Sequence, residues 1–224
     1  MSVVEKLRVL LAEKFERRPL EKVELLGYSS PRKWMIAVRI FFEIFITAYE
    51  NGKVQVDAGP ERTRSEISEF YLWEKYKRRY EKAVTEEEKK RILQKEKEER
   101  NRIIEDFKQR RFEDYIKKGR TIAYFAGRHM WGDEVARRVS EKHGLEVRFE
   151  IDTESGFFTT FDSTGMDDEQ LINETMKRVD AINEAREMFF NKELENEFLA
   201  SKGIEVERKR SRRRRVSRDD FKFF

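Results

Sequence analysis

The sequence contains no cysteine and only two histidines among its 224 residues. The absence of cysteine excludes disulfide bonds, thiolate zinc sites and a cysteine nucleophile. Two histidines alone argue against a conventional structural zinc site. We therefore expect neither a bound metal nor another cofactor.

Long apolar runs are also missing. The longest, residues 34–49, is interrupted by Arg39 and Glu43, which argues against a membrane span. The first six residues lack the basic-then-apolar order of a secretory signal. These absences predict a cytoplasmic protein with no membrane partner.

Proline and glycine are scarce, at 3 and 10 residues, whereas charged residues make up 42% of the chain and hydrophobic residues 38%. Such a composition is typical of proteins from hyperthermophiles. The length still suffices for a hydrophobic core within one large domain or a domain with an appendage. Much of the chain is therefore expected to be solvated helix surface.

The charge is distributed unevenly along the chain. The net charge is +4, yet a short C-terminal stretch carries eight positive charges and no acid. These residues are Arg208, Lys209, Arg210, Arg212, Arg213, Arg214, Arg215 and Arg218. Without them the rest of the chain has a net charge of −4. The basic character is thus a property of the tail and not of the folded body.

Residues 1–60 are predicted to form the first half of an α+β body. Ser2 and Glu5 have the spacing of a capping box, which predicts a helix over 3–17. A short strand is predicted at 21–27.

A β-hairpin is also predicted in this half. Apolar and other residues alternate from Ile36 to Tyr49, which predicts one long strand. Asn51 and Gly52 then favour a tight turn, and residues 53–57 return as the second strand.

Residues 61–119 are predicted to form a protruding antiparallel helical hairpin. Apolar residues recur at helical spacing in its first half, namely Ile67, Phe70, Trp73, Tyr76 and Tyr80. A capping box of Thr85 and Glu88 starts the second helix, which is predicted to reach about Lys118. Its centre, residues 94–102, has no apolar residue, so we expect it to project from the body.

Residues 120–203 are predicted to complete the body. The expected elements are a buried strand at 121–126, a loop at 127–132, a helix over 133–142 ending at Gly144, strands at 145–151 and 157–161, and a helix over 167–200. Residues 204–224 form the basic tail. This mixed order predicts an α+β fold, with an antiparallel sheet of four or five strands flanked by helices.

The basic tail is the strongest functional feature of the sequence. Eight like charges with one valine among eleven residues cannot form a core, so the tail needs a polyanionic partner. Arginine outnumbers lysine, which favours phosphate contacts and stacking on exposed bases. An acidic lipid or protein partner, and a role in solubility or targeting, are the alternatives.

The long predicted strand offers a second nucleic-acid feature. One of its faces carries Arg39, Phe41, Phe45 and Tyr49, beside Lys53 of the return strand. Aromatic side chains next to cations on an open sheet can stack single-stranded bases. The alternative is that a helix covers this face and makes both sides of the strand core.

The helical hairpin is predicted to self-associate and give a homodimer, because its aromatic spacing suits helix packing. The basic residues between the aromatics leave nucleic-acid contact as an alternative.

Evidence for an enzyme is weak. Asp152 and Glu154 superficially resemble the Asp-x-Glu of exonucleases that hold two metals, but a charged turn explains them equally. His129 lies in the predicted loop at 127–132. Asp133 directly follows this loop and is expected to cap the next helix. No phosphate-binding glycine loop or nucleophile elbow occurs.

The sequence therefore predicts a non-enzymatic nucleic-acid-binding protein, with RNA favoured over single-stranded DNA and with the ribosome or another ribonucleoprotein as its setting. One alternative is an assembly factor that binds proteins and is anchored to a nucleoprotein by its tail. The other is a metal-dependent nuclease that uses Asp152 and Glu154.

Overall fold

The computed structural model describes residues 1–22, 32–39, 43–59, 63–151 and 156–205. Helix α1 spans Val3–Phe15 and begins at the predicted capping box. The Ser2 hydroxyl accepts from the Glu5 N–H, and the Glu5 carboxylate accepts from the Ser2 N–H. Both bonds give an acceptor to N–H groups that have none within the first turn of a helix.

Six strands form one antiparallel sheet in the described part of the chain. They are β1 (Leu20–Lys22), β2 (Arg32–Arg39), β3 (Glu43–Tyr49), β4 (Lys53–Ala58), β5 (Arg148–Phe149) and β6 (Phe157–Asp162). Their spatial order is β1-β2-β3-β4-β6-β5. The sheet with its flanking helices confirms the predicted α+β class, with six strands where four or five were predicted.

The predicted single strand from Ile36 to Tyr49 was wrong, because it is the antiparallel pair β2 and β3. From Trp34 onward, paired residues lie at equal distances on either side of position 41, as Val38 and Ile44 do. An even-numbered residue therefore always pairs with an even-numbered one. Since paired residues share a face, one long strand and a hairpin centred here give the same alternation.

The predicted hairpin at Asn51 and Gly52 is confirmed. Strand β4 pairs with β3 in a register that places Phe45 opposite Asp57. The Gly52 N–H donates to the Tyr49 carbonyl at 3.1 Å, and Gly52 has a φ of 85°. A residue with a side chain would be strained in that conformation.

Residues 63–108 form the predicted helical hairpin, which we call the arm. Its first half is α2 (Thr63–Glu66), a π-helical stretch (Ile67–Leu72) and α3 (Trp73–Lys82). Its second half is α4 (Glu86–Lys108), which begins at the predicted capping box.

Polar contacts join the two halves of the arm. Tyr76 Oη and Lys75 Nζ each donate to the Glu99 carboxylate at 2.7 Å. Helix α4 ends at Lys108 and not near Lys118 as predicted. The chain turns at Arg110, whose φ is 59°, and continues as the short helix α5 (Glu113–Ile116).

The predicted strand at 121–126 and loop at 127–132 were wrong. Both lie inside α6 (Arg120–His143), which ends at the predicted cap, Gly144. Gly132 is a packing glycine within this helix and not part of a turn. A Cβ there would stand 2.6 Å from Cζ of Phe149 and closer still to two other ring carbons.

The predicted helix over 167–200 is two helices, α7 (Asp168–Phe190) and α8 (Lys192–Ser201). Asn191 lies between them with extended backbone, and its side-chain oxygen accepts from the N–H groups of Glu193 and Leu194. Asparagine is a preferred N-cap, so this residue starts α8 where α7 ends.

The hydrophobic core lies between one face of the sheet and helices α1, α6 and α7. Its largest fully buried side chains include Trp131, Phe107, Phe157, Leu7 and Leu11. Within the described ranges, no helix is both long enough and apolar enough to cross a membrane.

Candidate nucleic-acid interface

The strand register divides the sheet into two faces. The core face carries Ile36, Val38, Ile44, Ile46, Val54 and Val56, and all six are buried. Successive residues of a strand point to opposite faces, so the residues between them form the other side. We call that side the open face.

Two rows of side chains cross the open face. The first row is Ala37, Phe45, Asp57 and Phe158, one residue from each of β2, β3, β4 and β6. The second row is Met35, Thr47, Gln55 and Thr160 from the same four strands. Met35, Ala37, Thr47 and Asp57 are buried, Phe45, Phe158 and Gln55 are partly buried, and Thr160 is exposed. The open face is therefore mixed, with aromatic rings beside hydrogen-bonding groups.

The helices that pack on the sheet lie on the core face. In α7, the Arg178 guanidinium lies 4.1 Å from the centre of the Phe161 ring. Leu7 of α1 joins the core, and α6 approaches Phe149 at the edge of the sheet. No other helix in the described ranges makes more than marginal contact with a strand. The described helices thus contact the core face of the sheet, although Met35, Ala37, Thr47 and Asp57 on the other face are buried as well.

Four of the predicted stacking and cationic residues lie in the described strands. Phe45 and Tyr49 are on the open face and partly buried. Arg39 and Lys53 are exposed, and Arg39 Nε lies 3.1 Å from Glu43 Oε1. The sheet brings the two rings to one face and keeps the two cations near its rim.

The remaining predicted site residues lie outside the described residues. They are Phe41 and the eight basic residues of the tail, Arg208 to Arg218. Asp152 and Glu154, the residues of the nuclease alternative, lie outside them as well.

Sequence reasoning missed three contributors to the open face. Phe158 joins it because β6 pairs with β4, and Asp57 lies between Phe158 and Phe45. The Arg32 guanidinium lies 5.9 Å from the centre of the Tyr49 ring, a cation–π distance. The alternation of Val54, Val56 and Ala58 could have placed Asp57 on this face, but Phe158 required the pairing of distant strands.

Asp57 is the unusual titratable group of the open face. It is only 8% exposed, and Gln55 Nε2 donates to its Oδ2 at 3.0 Å. Burial raises the pKa of Asp57 to about 7, whereas the hydrogen bond from Gln55 and the positive charge of Arg32 act in the opposite direction. Its carboxyl group therefore changes charge near neutral pH.

His129 does not lie in a loop as predicted. It is 2% exposed within α6, and its ring contacts those of Phe107 and Phe149, at 5.1 and 6.1 Å between centres. Burial lowers the pKa of His129 well below its ordinary value, with the charge of Arg128 adding to the effect. A neutral imidazole among phenyl rings is part of the core.

Asp133 is inside α6 and does not cap a helix as predicted. Its Oδ1 lies 3.0 Å from Arg110 Nη2. Burial raises the pKa of Asp133 to about 6 against the opposing charge of Arg110. This ion pair joins the turn after α4 to α6.

Among the described residues, no cluster of three or more histidine or carboxylate side chains is arranged to hold a metal ion. Comparison with known proteins gives no relative: no family model, curated protein or solved structure matches this chain.

Proposed function

We propose that this protein binds single-stranded nucleic acid without modifying it, with RNA preferred over DNA. The observation that carries the proposal is the open face of the sheet, where Phe45, Tyr49 and Phe158 lie on the side opposite the packed helices. Stacking of a base on an aromatic side chain is worth about 1–3 kcal/mol and tolerates any base.

The charges around the open face support the same function. Arg39, Lys53 and Arg148 are exposed on strands that border the aromatic residues, and Arg32 accompanies Tyr49. Cations beside stacked bases contact the phosphates that connect them.

The basic tail supplies the larger electrostatic contribution in this proposal. The described chain ends next to Ile204, which is buried against Ala123 and Leu199. The 19 residues from 206 to 224 can span at most about 65 Å, which is enough to follow a strand bound to the sheet. The predominance of arginine favours phosphate forks and base stacking, and hence exposed RNA bases.

The first test is binding of labelled single-stranded RNA, single-stranded DNA and duplex DNA to the full chain, measured by fluorescence anisotropy at several salt concentrations. We expect RNA to bind most tightly. If all eight tail charges meet phosphates, log K falls with log salt at a slope of about −6. Replacing Arg212, Arg213, Arg214 and Arg215 by serine should reduce that slope to about −3.

The second test removes a ring from the open face. Phe45→Ala should weaken RNA binding by about 5- to 150-fold without changing the salt slope. The control is Phe70→Ala, which removes an exposed ring from the arm and should leave RNA affinity unchanged. If the two substitutions weaken RNA binding equally, or if Phe45→Ala does not weaken it, the open face of the sheet is not the RNA-binding surface.

A second candidate function is that of an assembly factor whose arm binds protein. The arm exposes Phe70, Trp73, Val84 and Leu93, at 56%, 37%, 89% and 44% of their surfaces. Trp73 lies 5.7 Å from Tyr80 between ring centres, so two of the arm's aromatic rings lie side by side. A second copy of this chain is the first partner to examine.

Sedimentation of the full chain over a range of concentrations tests this candidate. A dimer that Phe70→Ser with Trp73→Ser converts to a monomer, with RNA affinity retained, would support it. A wild-type chain that is monomeric throughout would reject self-association through the arm. Loss of a ribonucleoprotein partner on the same double substitution would favour the assembly role instead.

A further inference from the structure

Asp57 occupies the middle of the open face. Its neighbours across the two adjacent strands are Phe45 on β3 and Phe158 on β6. The side chain is 8% exposed although it ends in a carboxyl group. Burying a carboxylate is unfavourable unless its oxygens are hydrogen-bonded. The donors around Asp57 therefore determine how well its ionised form is tolerated.

Asp57 shares its hydrogen bonding with Gln55. Gln55 Nε2 donates to Oδ2 at 3.0 Å, and the positive charge of Arg32 also favours the carboxylate. An amide nitrogen carries two N–H groups, so Gln55 keeps one for another acceptor. Along β4 the open face therefore offers one donor followed by the acceptors of a carboxylate.

Guanine matches this order of groups best among the four RNA bases. Its Watson–Crick edge presents an acceptor, O6, followed by two donors, N1–H and N2–H. An ionised carboxylate can only accept, and it can meet two adjacent donors at once. Uracil presents one donor between two acceptors, cytosine one donor followed by two acceptors, and adenine one donor beside an acceptor, so none of them offers two adjacent donors.

The two phenylalanines provide stacking partners for the same base. Their strands are two spacings apart, about 10 Å. A base in van der Waals contact with a ring on each side needs about 7–8 Å between those rings, so a base bound here requires the two rings to lean together by about 2–3 Å. The edge of such a base points towards the strand between them, which is β4.

We propose that Asp57 and Gln55 form a guanine-recognition site in which Phe45 and Phe158 stack on the base. The inference rests on the proposed function, because it specifies the base that the open face selects. It assigns selectivity to two polar residues and general affinity to the rings and cations.

The test uses uridine octamers with guanosine, inosine, adenosine, cytidine or uridine at one central position. Binding of each octamer to the full chain is measured by fluorescence anisotropy at pH 8.5, where the Asp57 carboxyl group is ionised. The tail contributes equally to the binding of all five octamers. The ratios of their affinities therefore measure the preference for the central base. We expect guanosine to bind about 5- to 150-fold more tightly than uridine. Inosine lacks the N2 amino group and should lose much of this preference.

Asp57→Asn should bring the guanosine-to-uridine ratio close to one, because the amide replaces an acceptor by a donor. Gln55→Met should reduce the ratio by removing the donor to O6. The matched control is Asp162→Asn, which removes an exposed carboxylate from the same face and should leave the ratio as it is. An unchanged ratio in Asp57→Asn would overturn the inference.

The outcomes separate this inference from the proposed function. If the wild-type chain binds no octamer, the proposed function fails and the inference fails with it. If it binds all five equally, and Phe45→Ala weakens all five, the open face binds RNA but Asp57 does not read the base. A preference for a base other than guanine would also overturn the inference.

Discussion

The two faces of the sheet differ in composition although they share every strand. On β3, Ile46 is fully buried beneath the helices, while its neighbour Phe45 lies on the open face and is partly buried. On β3 and β4 the core face is aliphatic, and β6 adds Thr159 and Phe161 to it, whereas the open face combines rings, hydroxyls, an amide and a carboxylate. One face thus supplies most of the apolar burial that stabilises the fold, and the other is the face on which the proposed function depends.

The largest difference is expected from truncating neighbouring residues on the two faces. Ile46→Ala should lower the free energy of unfolding by about 2–5 kcal/mol, because it leaves a cavity in the core. Phe45→Ala should cost less than half as much, since its ring is already partly solvated. Urea denaturation followed by circular dichroism measures both. Equal losses would show that the open face is also core.

The pH dependence of stability tests the burial of Asp57. Its pKa is about 7 in the folded chain and about 3.9 when unfolded. Its stabilising contribution is complete below pH 4 and is lost as the pH rises through 7, by about 4 kcal/mol in all. Asp57→Asn should therefore raise the melting temperature at pH 8 and flatten the profile between pH 4 and 7.

Thermal unfolding of both proteins across this range provides the measurement. Burial also raises the pKa of Asp133, to about 6. The melting temperature of the Asp57→Asn variant should therefore still fall with rising pH, but less steeply than that of the wild type. A profile identical to that of the wild type would mean that Asp57 is solvated in the folded chain.

Substitution of two glycines by alanine compares the packing on the two faces of the sheet, with a smaller expected effect on stability. Gly132→Ala forces a methyl group against the Phe149 ring of the core, and should cost about 1–3 kcal/mol. At Gly59, beside Phe45 on the open face, a Cβ would meet its nearest atoms at 3.5 Å. Gly59→Ala should change the stability by less than about 0.5 kcal/mol. The reverse order in chemical denaturation would contradict the assignment of the faces.

The smallest effect is expected at the rim of the open face. Lys53 is exposed, so Lys53→Ala should alter stability by less than about 0.5 kcal/mol. If Lys53 meets one phosphate, the slope of log K against log salt for RNA should become shallower by about 0.7. An unchanged slope would leave Lys53 outside the interface.

Features that depend on local chemistry could be predicted from the sequence. The capping boxes at Ser2 and Thr85 and the turn at Gly52 each need only residues within a few positions. The alternation also placed Phe45 and Tyr49 on a common face.

Features that depend on distant packing could not be predicted in this way. The apolar residues at 122–126 suit a buried strand or a helix equally, and Gly132 favours a turn until Phe149 is seen against it. The centre of the candidate site was hidden for the same reason. Phe158 joins Asp57 through a pairing between strands about 100 residues apart in the chain.

The β5 edge of the sheet limits how copies of this protein can meet. An exposed edge strand is a template for pairing with another chain, and a longer edge strand is a better template. At this edge β5 has two residues, and one of them, Arg148, is exposed and charged. Such an edge offers few backbone groups in register to a second sheet. Aggregation by pairing at β5 is thereby disfavoured.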